Sequence, residues 1–132
     1  MDYVCLVIRS STAVFTGSDL LKDLGWSIGA LVAQACHAST AVLHIFKEDE
    51  YTIQYLNNLD NMHKVVLEVP NEESLNKIAE KLKENSISHK LWIEQPENIP
   101  TCLAIKPYPK DEIKKYVGKF KLYKATMPSK DL

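Results

Sequence analysis

Gln34, His37, Ala41 and His44 recur at a 3-4-3 spacing, so a helix through them carries a carboxamide and two imidazoles on one face. His37 and His44 are seven residues apart, roughly 10 Å along a helix axis, which is too far for one metal ion. A metal reading of this pair therefore fails on geometry. His37 reads either as a group acting at a site or as a core-edge histidine bonded to neighbouring backbone. Cys36-His37 invites a nucleophile–base reading, but consecutive helical side chains point roughly 100° apart, and Cys36 fits a small buried hydrophobe. Glu94, followed by Gln95 and Pro96, is placed to be a general base at a strand end or a surface or capping carboxylate. Lys106, Lys110, Lys114, Lys115, Lys119, Lys121 and Lys124 alternate with Tyr108, Tyr116, Phe120 and Tyr123. They form either a solvated helix face or a strip that contacts phosphates.

These groups need elements to hold them. Tyr3 to Ile8 is a continuous β-prone run, as in a strand buried on both faces. The polar stretch from Ser10 to Gly25 is long for a loop in so small a domain, which marks it as functional or mobile. A helix is predicted over Gly29 to Phe46, with Ser27 as its N-cap and Leu31, Ala35, Ala38, Val42 and Ile45 on one stripe. A second helix is predicted over Asp49 to Leu59. Lys64 to Val69 is the next strand, and Asn71 caps a helix through Leu75, Ile78, Ala79 and Leu82. Ser88 to Ile93 returns as a strand, parallel to the one before it. Pro96 and Pro100 bracket a rigid loop, Thr101 to Ile105 is a further strand, and Pro109 starts a basic helix through about Tyr116. The alternation predicts an α/β fold: a single domain over 1–132, with helices on both faces of one mixed sheet. In such sheets ligands gather at the carboxyl ends of parallel strands, where Arg9, Ser10 and Glu94 fall.

With 132 residues, 45% of them apolar and 25% charged, the chain suits one soluble domain with a modest core. No run approaches the roughly 18 to 20 apolar residues of a membrane span, so no membrane partner is expected. The net charge of -1 hides a split. Residues 1–105 carry 8 basic and 14 acidic side chains, whereas residues 106–132 carry 8 lysines and 3 acids. A polyanionic partner is therefore compatible with a neutral total. Cys5, Cys36 and Cys102 form no C-x-x-C pair, which argues against a disulfide framework or structural zinc. Without a basic, apolar leader in Met1-Asp2-Tyr3-Val4, the expected setting is reducing and cytoplasmic.

Read in order, these segments resemble a known family. Gly29 to Ala38 (Gly-Ala-Leu-Val-Ala-Gln-Ala-Cys-His-Ala) looks like the first-helix signature of the archaeal/eukaryotic-type peptidyl-tRNA hydrolases. Lys64 to Leu67, Pro70 to Leu75, Thr101 to Pro109 and Phe120 to Tyr123 are similar to its later segments, in the same order. Trp26 and the run Leu91 to Ile99 look closer to a side branch, the peptidyl-tRNA hydrolase domain-containing proteins. The resemblance implies a mixed four-stranded sheet and cleavage of the ester joining a peptide to the 3′ end of tRNA, without a cofactor. It also implies a possible homodimer. Two departures accompany it. The family's helix begins Gly-Lys-Gly-Lys, with a lysine assigned to the site, whereas Ile28 and Ala30 stand at the corresponding positions. The family's Asp-Ala-Gly-x-Thr loop is replaced by one in which Glu94 takes the acidic place and no Gly-x-Thr occurs.

Ester hydrolysis needs an oriented water, a base and a donor for the developing oxyanion. On this reading Glu94 is the base or water-orienting carboxylate, the Gln34 amide is the donor, and His37 holds one of them. Thr101 is a secondary candidate because it aligns with strand rather than loop. Lys64, Lys106, Lys110 and Lys114 are expected to contact tRNA phosphates. The rival reading is a catalytically weak or inactive family member acting as an RNA- or protein-binding module. A third, a hydrolase using Cys36 or Cys102, requires an activated thiolate.

Overall fold

The first strand organises the molecule because both of its faces are apolar. In the computed structural model, which describes residues 2–9 and 26–123, β1 (Asp2–Arg9) sends Val4, Leu6 and Ile8 into one core cluster and Cys5 and Val7 into another. A strand with two buried faces requires a helical layer on each side. α1 (Ile28–Ile45) and α2 (Glu50–Leu56) cover one face through Leu31, Ala38, Val42 and Tyr55. α3 (Glu72–Glu84) and α4 (Lys110–Val117) cover the other through Leu75, Ile78, Leu82, Ile113, Tyr116 and Val117. The result is the expected α/β/α layering. The predicted Ser10–Gly25 loop and Lys124 lie outside the described residues.

The remaining strands are β2 (Lys64–Val69), β3 (His89–Glu94), β4 (Ile99–Pro109) and β5 (Lys121–Leu122), in the order β3-β4-β1-β2-β5. β2 lies parallel to β1, while β4 runs antiparallel to both β1 and β3. Five strands stand where four were expected. The fifth is two exposed residues paired antiparallel with β2, too short to show any apolar period. β2 and β3 run in the same direction, as predicted, but β4 and β1 lie between them.

Local signals set the helix starts. Ser27 Oγ accepts the Ala30 amide, Asp49 accepts from Tyr51 and Thr52, and the Asn71 side chain accepts from Ser74. The predicted second helix is shorter than expected: it stops at Leu56, before Asn57-Asn58, and a 3-10 turn follows at Leu59–Asn61. By length and composition α1 is apolar enough to cross a membrane. Here it packs on β3 and β4 instead, with the polar side chain of Gln34 buried between them.

β4 is longer than predicted and irregular at two points. Trp92 pairs with Cys102 and Ile93 with Pro100, which leaves Thr101 as an extra residue. A second register shift falls between the partners of Tyr3 and Cys5, beside Lys106-Pro107. Pro107 has no amide hydrogen to give to a ladder, and a bulge accommodates it. Bulges also redirect side chains.

Lys106 is only 3% exposed. Its Nζ lies 2.9 Å from Asp49 and 3.6 Å from the Tyr108 ring centroid, and it donates to the Pro107 carbonyl. Burial would raise the Asp49 pKa, but the Lys106 hydrogen bond and charge, with the Thr52 and Tyr51 amides, outweigh it and hold the carboxyl below its ordinary value. The expected role of Lys106 as a phosphate contact gives way to an internal one: it pins the start of α2 to β4.

Lys106→Met is expected to lower unfolding free energy by about 1–3 kcal/mol, since it leaves a part-buried carboxylate without its cation. Lys110→Ala, on exposed helix surface, should stay within about 0.5 kcal/mol. The depressed Asp49 pKa contributes stability above the unfolded aspartate value, and that contribution fades as pH falls through the folded value. The gap between wild type and Lys106→Met should accordingly narrow on acidification, as measured by urea denaturation at several pH values.

Candidate active site

β3 is the edge of the sheet, and period-two alternation along it places Trp92 and Glu94 on the face that α1 covers. A tight hairpin, Gln95 to Asn98, returns the chain to β4, with Glu94 opposite Ile99. Asn98 occupies the left-handed region at φ 57°, which asparagine tolerates better than most residues. The expected loop between Pro96 and Pro100 is thus shorter than predicted, because Pro100 already belongs to the strand.

Simple alternation from Leu103 and Ile105 would turn Thr101 away from α1. As the extra residue of the bulge it turns toward α1 instead, and its fully buried Oγ1 donates to Gln34 Oε1 at 2.8 Å. Gln34 is 2% exposed. Its Nε2 donates to Glu94 Oε2 at 3.0 Å and to the Ala30 carbonyl at 3.3 Å. Both Nε2 partners are acceptors only, which fixes the orientation of the amide. Every hydrogen of the carboxamide is therefore engaged. The expected role of Gln34 as a free oxyanion donor does not match this arrangement, in which it positions Glu94 and Thr101.

Glu94 receives a second donor, Trp92 Nε1 on Oε1 at 3.1 Å. The Gln34 and Trp92 hydrogen bonds, helped by the His37 charge and the Gln95 amide and opposed by burial, hold its carboxyl below the ordinary glutamate range. Each oxygen keeps a lone pair for a further donor, such as a water. A carboxylate with a lowered pKa is a weak proton acceptor but a firm anchor for an oriented water.

His37 is exposed and stacks on Trp92, with ring centroids 4.7 Å apart and planes 22° from parallel. Among the described residues no hydrogen bond joins it to Gln34 or Glu94, so its contact with the cluster runs through Trp92. Nor do three potential metal ligands converge among the described residues. Arg9, 6% exposed, donates to the Pro100 carbonyl at 2.9 Å and lies 3.8 Å from Glu72, tying the end of β1 to the hairpin and to α3.

The structure does not bring the predicted lysines to this cluster. Lys64 pairs with Val4 near the opposite end of β1 and donates to the Tyr55 hydroxyl. Lys110 and Lys114 are exposed on α4, in the other helical layer. The strand from Thr101 to Pro109 alone separates them from the cluster by roughly 26 Å. Among the thiols, Cys102 adjoins the cluster, opposite Trp92 in the ladder, but it is fully buried. Burial pushes Cys5 up to about 12 and also raises Cys102, so neither is poised as a thiolate nucleophile. Cys36, expected to be buried, is instead exposed, about 200° around α1 from Gln34, on an apolar groove of about 620 Å³ beside Leu6, Ile8 and Val66. Trp92 was not among the predicted site residues, although its place two residues before Glu94 on a strand was a signal that it shares that face.

The cluster's groups come from segments that known proteins share. The family profile described as peptidyl-tRNA hydrolase PTH2 matches residues 20–123. The human protein named "Putative peptidyl-tRNA hydrolase PTRHD1" is 53% identical over 110 residues, covering 80% of this chain and 79% of its own. The mouse protein of the same name is 52% identical over the same shares. The peptidyl-tRNA hydrolase of the archaeon Methanothermobacter thermautotrophicus is 32% identical over 106 residues, covering 76% of this chain and 92% of its own. The chain belongs to the peptidyl-tRNA hydrolase PTH2 family.

Proposed function

We propose that this protein hydrolyses the ester between a peptide and the 3′ end of tRNA, slowly, in the cytoplasm and without a cofactor. The observation that carries this reading is the Thr101–Gln34–Glu94–Trp92 hydrogen-bond network, held at an accessible sheet edge in a chain of this family. Glu94 holds the attacking water on its remaining lone pairs. Gln34 and Trp92 fix the carboxylate, and Thr101 fixes Gln34. Lys64, Lys110 and Lys114 contact tRNA phosphates away from the scissile bond, which suits a long substrate better than a short one.

Slowness follows from what is engaged. Gln34 has no hydrogen left for an oxyanion, and Ile28 and Ala30 occupy the positions where the family pattern carries lysine. Lack of one oxyanion donor typically costs about 100- to 1000-fold in rate. Turnover of a purified peptidyl-tRNA should fall below that of the archaeal relative by a factor of this order. Glu94→Gln should lower it by a further hundredfold or so. Turnover absent in wild type, with tRNA binding retained, would favour the binding-module reading; turnover unaffected by Glu94→Gln would remove Glu94 from the mechanism.

The thiol alternative has its own measurement. Iodoacetamide at neutral pH should modify Cys36 alone in the folded protein, and the modified protein should keep its hydrolytic rate, because Cys36 faces away from Glu94. Inactivation on labelling would reinstate a cysteine mechanism.

A further inference from the structure

Beyond the reacting carboxylate and the indole that fixes it, Lys90 on β3 and the His37 ring stacked on Trp92 are used by neither the family assignment nor the hydrolytic reading. Glu94, Trp92 and Lys90 alternate along this edge strand, about 6.6 Å from one to the next. Lys90 sits opposite Ala104 in the ladder, and Ala104 belongs to the core under α1, so Lys90 shares that face. No ion pair or hydrogen bond to the Lys90 side chain occurs among the described residues, whereas Lys106 and Lys64 both have polar partners. His37 is exposed with one ring face on Trp92, and among the described residues no other ring packs on it, which leaves its outer face as a flat π-surface.

A carboxylate, a stacked aromatic pair and a cation therefore follow one another along an open edge. Flat rings stack on such a platform whatever their sequence, and a phosphate is the natural partner of an unpaired ammonium beside it. We propose that this row binds the 3′-terminal nucleotides of single-stranded RNA, with the last base stacked on His37 and a backbone phosphate on Lys90. The ribose bearing the ester then falls toward Glu94. This deepens the hydrolytic reading and rests on it for the identity of the ester, but the binding itself needs no chemistry. It also supplies, at the reacting end, the phosphate contact that the distant basic helix lacks.

The experiment uses the full chain and a fluorescent single-stranded RNA pentanucleotide with a free 3′ hydroxyl, alongside the same strand ending in an abasic ribose. Wild type should bind the intact strand about tenfold more tightly than the abasic one. His37→Ala should abolish that preference and His37→Phe should restore it. Lys90→Ala should weaken both strands and reduce the slope of log affinity against log salt by about 0.7. Lys77→Ala, at an exposed lysine on α3 that pairs with Glu73, serves as the charge-matched control and should change neither. No binding by wild type, a base preference that survives His37→Ala, or a salt slope equal in Lys90→Ala and wild type overturns the proposal. Hydrolysis separates the two readings. Cleavage of peptidyl-tRNA with KM unmoved by His37→Ala and Lys90→Ala sinks this inference and leaves the hydrolase standing. Base-dependent binding without any cleavage does the reverse.

Discussion

The candidate site depends on one buried carboxamide. Gln34 sits inside the layer between α1 and the sheet, where an unbonded polar group would cost about 1–3 kcal/mol. Its bonds to Thr101, Glu94 and Ala30 meet that requirement. Since the Glu94 and Ala30 oxygens only accept, the amide has a single satisfactory orientation, and α1 has one satisfactory position over β3 and β4. The constraint that satisfies the core is also the one that aims Glu94. The engagement that positions the carboxylate leaves the amide no hydrogen to donate elsewhere.

Irregularity in β4 supplies what a regular strand cannot. Strict alternation would bury Thr101 on the α3 side, out of reach of Gln34, and a single extra residue brings it to α1. Near its other end the same strand breaks register again beside Lys106 and Pro107, and Lys106 meets the N-cap carboxylate of α2. The two faces of the sheet thereby acquire distinct tasks. The α1 face carries the polar cluster at its edge, whereas the α3–α4 face carries a continuous apolar core with lysines outside it.

Much of the fold was legible in the sequence because the signals were local. The two-sided apolar run of β1, the Ser27 and Asn71 caps and the stripes of α1 and α3 each act within a few residues, and all appear where expected except Ile45, which is 52% exposed at the end of α1. β5 was not legible, since two exposed residues carry no period. At the site, Gln34, Glu94 and Thr101 were all visible as candidates and do meet. Their roles were not visible, because the roles depend on a one-residue shift in strand register that leaves no trace in composition or spacing. Lys106 misled for a similar reason: its partner Asp49 is distant in sequence, and a lysine in a basic stretch looks solvated until the fold places an acid against it. His37 was expected to hold the amide or the carboxylate, and it stacks on Trp92 instead.

The central claim is that Gln34 and Trp92 hold Glu94 as a charged, water-orienting carboxylate at a site of ester cleavage. The most direct test is the pH dependence of single-turnover peptidyl-tRNA cleavage by wild type and by Gln34→Leu. If the claim is right, wild-type cleavage is lost only on the acid side of the ordinary glutamate value of about 4.3, because Glu94 must be ionised and its pKa is lowered. Removing the principal hydrogen bond should lower the plateau and move that acid limb upward. Cleavage that shows the same limb in both proteins, or a limb unrelated to a carboxylate, would contradict it.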